Sequence, residues 1–206
     1  MTTLVVVRHG ETTWNRQQRL QGWAPAPLTD LGREQAGQLG ATLIEGYDVD
    51  RILSSDLHRA EETVELLLKH VDAPVTFDSA WRERDLGVHQ GLTVDEIAER
   101  FPEHDLGVAG TDAAHRRPES GESLVDVRER VIERWETTLT ECESEETVLV
   151  VSHGGPIRLI LGHLKDLDIA ESILEQSQGY CSLNEFEFDH ESWAVQIVHE
   201  NDASHC

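Results

Sequence analysis

Cysteine, lysine and long apolar runs are scarce in this chain, and each scarcity removes a class of function. Only three of the 206 residues are cysteine, Cys142, Cys181 and Cys206. The set is odd and shows neither metal nor redox spacing, so no disulfide framework is expected. No run of about eighteen apolar residues occurs, which predicts that nothing spans a bilayer. The opening Met1-Thr2-Thr3-Leu4 lacks the basic region and apolar run of a secretory signal, which predicts a cytoplasmic protein. Lysine occurs only as Lys69 and Lys165, so the other fifteen of the 17 basic residues are arginine.

Carboxylates, in contrast, are abundant: 40 Asp and Glu give a formal net charge of −23. Such a charge destabilises a compact state by self-repulsion unless salt screens it. The Debye length falls from about 10 Å at 0.1 M salt to about 3 Å at 1 M. The composition therefore predicts a halophilic protein shaped for concentrated salt. Nucleic acid and anionic membrane surfaces are poor partners for it.

With 206 residues and 38% hydrophobic content, the chain can bury a core without staples. Short β-branched runs alternate with helical patterns, which predicts an α/β fold. Leu4–Val7, Arg51–Ser54 and Thr147–Ser152 read as strands, and Pro74–Phe77 as a weaker one. Asp30–Ile44 reads as a helix capped by Thr29 or Asp30, its apolar face built from Leu31, Ala36, Leu39, Leu43 and Ile44. Ser55 or Asp56 is expected to cap a second helix, with Leu57, Ala60, Val64, Leu67 and Leu68 at helical spacing. Leu124–Leu139 reads as a third, and Pro156 suits the first turn of a fourth. Ser182–Asp189 and Trp193–His199 read as a hairpin. The least periodic segment, Phe101–Ser123, is expected to be a surface excursion able to cover a site. There is no repeat or linker. The expectation is one three-layer domain over residues 1–200, with a mostly parallel sheet between helices, and a flexible tail over 201–206.

Ligands of open α/β sheets bind beyond the carboxyl ends of the strands. Three such ends carry phosphate-binding groups: Arg8-His9-Gly10-Glu11-Thr12, Ser54-Ser55-Asp56-Leu57-His58-Arg59, and Ser152-His153-Gly154-Gly155-Pro156. Each glycine next to a histidine, Gly10 and Gly154, lets backbone approach a ligand, and helix N-termini there favour an anion. One such group alone usually has a structural explanation; three together point to a phosphate site.

These residues, with Asn15, Gln21-Gly22, Pro27-Leu28-Thr29, Gly32, Gln35-Ala36, Arg82-Glu83-Arg84-Asp85-Leu86-Gly87, Gln90-Gly91 and Gly121-Glu122-Ser123, follow a known order. Over nearly its whole length the chain resembles the histidine phosphatase superfamily, the phosphoglycerate mutase-like proteins. The resemblance implies that His9 attacks phosphorus as a neutral imidazole, its other ring nitrogen held by a partner such as the Gly10 carbonyl. It implies that Arg8, Arg59 and His153 bind the phosphoryl oxygens, with Asn15, Gln21, Gly22 and Gly154 completing the binding site. Glu83 is implied as the general acid, a role that requires it to be protonated near working pH. Without the resemblance, Glu83 would read as an ion-pair partner of Arg82 or Arg84. Neither metal nor cofactor is implied.

Other chemistries fit less well. Asp48-Val49-Asp50 precedes a strand rather than following one, no cysteine has an arginine six residues later, and no Walker-type loop occurs. None of the eleven histidines pairs at a metal-ligand spacing, and most read as surface residues. Within the family, a phosphatase acting on a small phosphorylated metabolite is favoured over a cofactor-dependent mutase. Where such mutases carry tyrosine, lysine and asparagine, this chain has Leu86, Val94 and Gly155. Arg116 and Arg117 resemble the mutases' carboxylate-binding arginines, but at the wrong distance from Glu83. A non-catalytic phosphate-binding module is weaker still, because all five central residues are present. Specificity is expected from Gln21, Gly22, Trp23 and the Phe101–Ser123 excursion, which do not name the ester. Homo-oligomer formation stays open.

Overall fold

Alternation along two strands organises the molecule. In β1 (Thr2–Arg8), Leu4 and Val6 face one side of the sheet while Val5 and Val7 face the other. Val148 and Val150 against Leu149 and Val151 repeat this in β4 (Thr147–Ser152). A strand apolar on both faces must be covered on both, which requires helices above and below. The computed structural model describes all residues from Met1 to Cys206.

After β1 come α1 (Thr13–Arg16) and α2 (Asp30–Gly46), then β2 (Arg51–Ser54), α3 (His58–Leu67) and β3 (Val75–Phe77). Next comes α4 (Val94–Arg100), and the Phe101–Ser123 excursion carries α5 (Leu106–Ala109) and α6 (Thr111–Ala114). Then follow α7 (Leu124–Glu141), β4, α8 (Gly154–Leu164), α9 (Ile169–Glu175), β5 (Leu183–Asp189) and β6 (Ala194–Asp202). The sheet order is β3-β2-β4-β1-β5-β6. The first four strands are parallel, and the β5–β6 hairpin adds antiparallel to β1. This is the single α/β domain with a mostly parallel sheet that the pattern predicts.

Two cores flank the sheet. Ala36, Leu39 and Leu43 of α2 and Ala60, Val64 and Leu67 of α3 pack on one face. Val127, Val131 and Trp135 of α7 and Ile157, Leu159 and Ile160 of α8 pack on the other. Burying each valine, leucine or isoleucine among them contributes roughly 1.5–3 kcal/mol. The helix after β1 covers one face and the helix after β4 the other. Between these neighbouring strands lies a topological switch point, where a crevice opens at the carboxyl ends.

Several local expectations are corrected. Leu31 and Ile44 of α2 and Leu68 beyond α3 are exposed, because the helices bury narrower stripes than the periodicity suggested. Neither Ser55 nor Asp56 caps α3, whose N-cap is Leu57 with no side-chain hydrogen bond. Ser55 and Asp56 have tertiary partners instead, described below. The Phe101–Ser123 excursion is partly helical, and Ala113 and Ala114 within it are buried. The end of the chain is tethered: β6 includes Asn201 and Asp202, Asn201 Oδ1 accepts the Gly179 N–H at 2.6 Å, and His205 Nε2 lies 3.0 Å from the Cys181 carbonyl oxygen. No helix is long and apolar enough to cross a membrane.

Candidate active site

The register Arg8↔Ser152 aligns the ends of β1 and β4, so His9 and His153 emerge side by side over the switch point. Their ring centroids are 5.1 Å apart. Arg59, the second residue of α3, reaches between them from the end of β2. Its Nε lies 3.2 Å from His9 Nε2 and 3.2 Å from His153 Nδ1. All three side chains are buried.

These contacts assign the tautomers. His9 Nδ1 lies 2.7 Å from the Gly10 carbonyl oxygen, which can only accept, so Nδ1 carries the hydrogen and Nε2 the lone pair. His153 accepts at Nδ1 and donates from Nε2 to Ser55 Oγ at 2.7 Å. Burial pushes both imidazoles well below the ordinary histidine pKa, and the Arg59 charge adds to it. At neutral pH both rings are uncharged. Burial also lowers the Arg59 guanidinium to about 10, still fully charged at neutral pH.

Arg8 closes another side. Its Nη1 donates to the Gln178 carbonyl at 2.6 Å, and its guanidinium lies over Tyr180, 4.1 Å from the ring centroid. Its Nε is buried with no partner, an unmet donor of the kind an anion would satisfy. Arg59 Nη2 donates to the Gly22 carbonyl at 2.9 Å, Gly22 being in the left-handed region at φ +54°. Gln21 is held by Thr12, whose Oγ1 donates to Gln21 Oε1 at 2.9 Å. Asn15 completes the capping box of α1, whose N-cap is Thr12, by accepting the Thr12 N–H at 3.1 Å.

Glu83 enters from the segment after β3. Its Oε1 accepts the Arg84 N–H at 2.9 Å, and its Oε2 accepts the Gly155 N–H at 3.0 Å. A Cβ at position 155 would collide with this carboxyl, so glycine there keeps the seat open. The ion-pair alternative for Glu83 falls away: Arg82 is bidentate to Asp56 at 2.6 Å, and Arg84 gives its side chain to the carbonyls of Glu122 and Arg116. Trp23 does not line the cavity. Its Nε1 donates to the Glu83 carbonyl at 2.7 Å, which positions the Glu83 backbone. Gly10 is needed for packing rather than for ligand approach, since a Cβ there would strike the Gly32 backbone.

Arg8, His9, Asn15, Gln21, Gly22, Arg59, Glu83 and Gly154 all line one cavity of about 630 Å³, and His153 lies immediately beneath it. From the excursion come His104, Asp105, Leu106 and Gly107, whereas Arg116 and Arg117 are absent from the wall. Arg117 pairs with Asp126 at 2.7 Å on the exposed surface. No group of three His, Cys, Asp or Glu side chains is gathered as a metal site. Sequence reading missed His89 and Arg158, both in the wall. Arg158 follows Gly155 by three residues on α8, a spacing that could have revealed it. His89 is buried by tertiary contacts with Phe101 and His104, which nothing local announces.

The histidine phosphatase superfamily (branch 1) model matches residues 4–201. The chain belongs to the histidine phosphatase superfamily. It is an enzyme of that superfamily, a phosphatase or a mutase. It is 35% identical over 202 residues, 96% of this chain and 91% of the relative, to 2,3-bisphosphoglycerate-dependent phosphoglycerate mutase 2 of Gloeobacter violaceus. Among solved structures it resembles Bacillus stearothermophilus YhfR, with a TM-score of 0.89 and 33% identity over 100% of this chain and 99% of that one. It also resembles a mycobacterial glucosyl-3-phosphoglycerate phosphatase in complex with VO3, with a TM-score of 0.81 and 31% identity over 97% and 98% of the two chains.

Proposed function

We propose that this histidine phosphatase superfamily member hydrolyses the phosphomonoester of a small metabolite through a phosphohistidine on His9. His9 Nε2 attacks phosphorus while the ester P–O bond breaks. Arg8, Arg59 and His153 hold the phosphoryl oxygens, and Glu83 delivers a proton to the leaving alkoxide. Water then attacks the phosphohistidine, Glu83 takes back a proton, and inorganic phosphate leaves with His9 restored. Positioning and charge stabilisation carry most of such catalysis. Arginine suits it because its fork of donors matches phosphate oxygens and it stays charged when buried.

The observation that carries phosphatase over mutase is the chemistry of the wall beyond Glu83. Leu86 and Val94 occupy positions where cofactor-dependent mutases carry tyrosine and lysine, and both line the cavity as apolar surface. Arg116 and Arg117 do not reach it. A site so lined lacks the tyrosine, lysine and paired-arginine contacts with which those mutases hold a three-carbon acid. Its volume also leaves room for a larger ester and for water.

A phosphorus NMR time course in molar potassium chloride tests this. The mixture holds 3-phosphoglycerate, a trace of 2,3-bisphosphoglycerate and several other phosphomonoesters. Inorganic phosphate is expected to accumulate, and the fastest-vanishing ester begins the substrate search. Growth of 2-phosphoglycerate without inorganic phosphate would make the protein a mutase instead.

A further inference from the structure

The cavity wall holds five arginines, Arg8, Arg19, Arg59, Arg84 and Arg158, and none has a carboxylate within 4.0 Å. In a chain with 40 Asp and Glu, that spacing marks the wall as built for an anion. Four of the five are accounted for. Arg8 and Arg59 belong to the phosphoryl cradle, Arg84 is held by two carbonyls, and Arg19 is exposed with Nη1 on the Gly91 carbonyl at 2.6 Å.

Arg158 remains. It makes no hydrogen bond and no ion pair, and its Nε is buried without a partner. It stands three residues after Gly155, whose N–H holds Glu83, and four after Gly154 in the same wall. That spacing sets it on the cavity face of α8, about 4.5 Å further along the axis. Helical side chains lean towards the helix N-terminus, which directs the guanidinium back along the cavity towards its catalytic end, where its charge acts on Arg8. An unpaired, partly buried charge is costly unless a ligand completes it.

We infer that Arg158 forms a second anion subsite, and that the substrate is a phosphomonoester whose alcohol portion carries another anionic group, a carboxylate or a second phosphate. The inference rests on the phosphatase assignment only in taking Glu83 to face the leaving group. Arg158 then reads the part of the substrate that departs, which makes it a specificity residue rather than a member of the cradle. Arg116 and Arg117, which resemble the mutases' carboxylate-binding arginines but stand at the wrong spacing from Glu83, lie outside the wall, and Arg158 takes the contact instead.

The test is calorimetric, on His9→Ala protein, which binds esters without turning them over. Three probes differ in the second group: glycerol 3-phosphate has none, 3-phosphoglycerate has a carboxylate, and propane-1,3-diol bisphosphate has a phosphate. A charge-assisted hydrogen bond predicts about tenfold or greater preference for at least one of the latter two. The tighter of them identifies the group. Arg158→Leu in the same background should reduce that preference below about threefold, and Arg158→Lys should keep part of it. Matching thermal melts guard against misfolding. Equal affinity for all three probes, or equal weakening of all three by Arg158→Leu, would overturn the subsite. Should the preference hold while the unmutated protein releases no phosphate from any ester, only the phosphatase assignment fails.

Discussion

Arginines outside the cavity and arginines within it differ in their partners: six of the ten outside contact a carboxylate, and none of the five within does. Arg33, Arg51, Arg82, Arg117, Arg130 and Arg134 each contact a carboxylate, and none of them lines the cavity. The five in the cavity have no carboxylate partner within 4.0 Å, although Glu83 and Asp105 share the wall with them. The difference shows how a protein of net charge −23 can present a cationic site to an anion. Distant carboxylates act across water and salt, which screen them, whereas cavity arginines act on a bound anion at contact range. Local geometry therefore outweighs the total.

The comparison breaks most visibly if the two sets are exchanged in function. Arg59→Met should lower kcat/KM for ester hydrolysis by about 10²–10³-fold, as loss of a preorganised donor does. Arg117→Ala, on the exposed surface, should change it less than twofold. Steady-state phosphate release, with melts to confirm folding, reads both. Comparable losses at the two positions would mean that the cavity arginines are not specially placed.

A smaller effect concerns the two neutral imidazoles that share this cationic pocket. His9 and His153 have pKa values lowered on folding, so above about pH 6.5 they are neutral in both states and contribute no pH dependence. As pH falls below that, the unfolded chain binds protons that the folded chain refuses, and stability is lost. Each contributes at most about 1.4 kcal/mol per pH unit. Urea unfolding between pH 7.5 and 5 should show the stability gap between wild type and His9→Asn narrowing as pH falls. Parallel curves would remove burial as the cause.

The smallest effect lies outside the cavity. Self-repulsion of exterior carboxylates predicts a melting temperature that rises by a few degrees from dilute buffer into molar potassium chloride. A flat or falling profile would sink the proposal that the chain is adapted to concentrated salt.

Much of this protein follows from local pattern. Two-sided β-branched strands, the helices between them and the terminal hairpin all follow from side-chain periodicity, which neighbouring residues determine. The residues at the strand ends were legible too, because a strand that runs into Arg-His-Gly can place those groups at only one edge of the sheet. Tertiary structure alone decided their partners. Ser55 serves His153 rather than capping a helix, Asp56 takes Arg82 away from Glu83, Trp23 holds the Glu83 backbone, and Gly155 keeps room for the Glu83 carboxyl. These contacts join residues far apart in sequence, whose meeting depends on how the layers pack. For the same reason Arg158, which sequence reading missed, lines the cavity, while Arg116 and Arg117 lie outside it and Arg117 pairs with Asp126 on the surface.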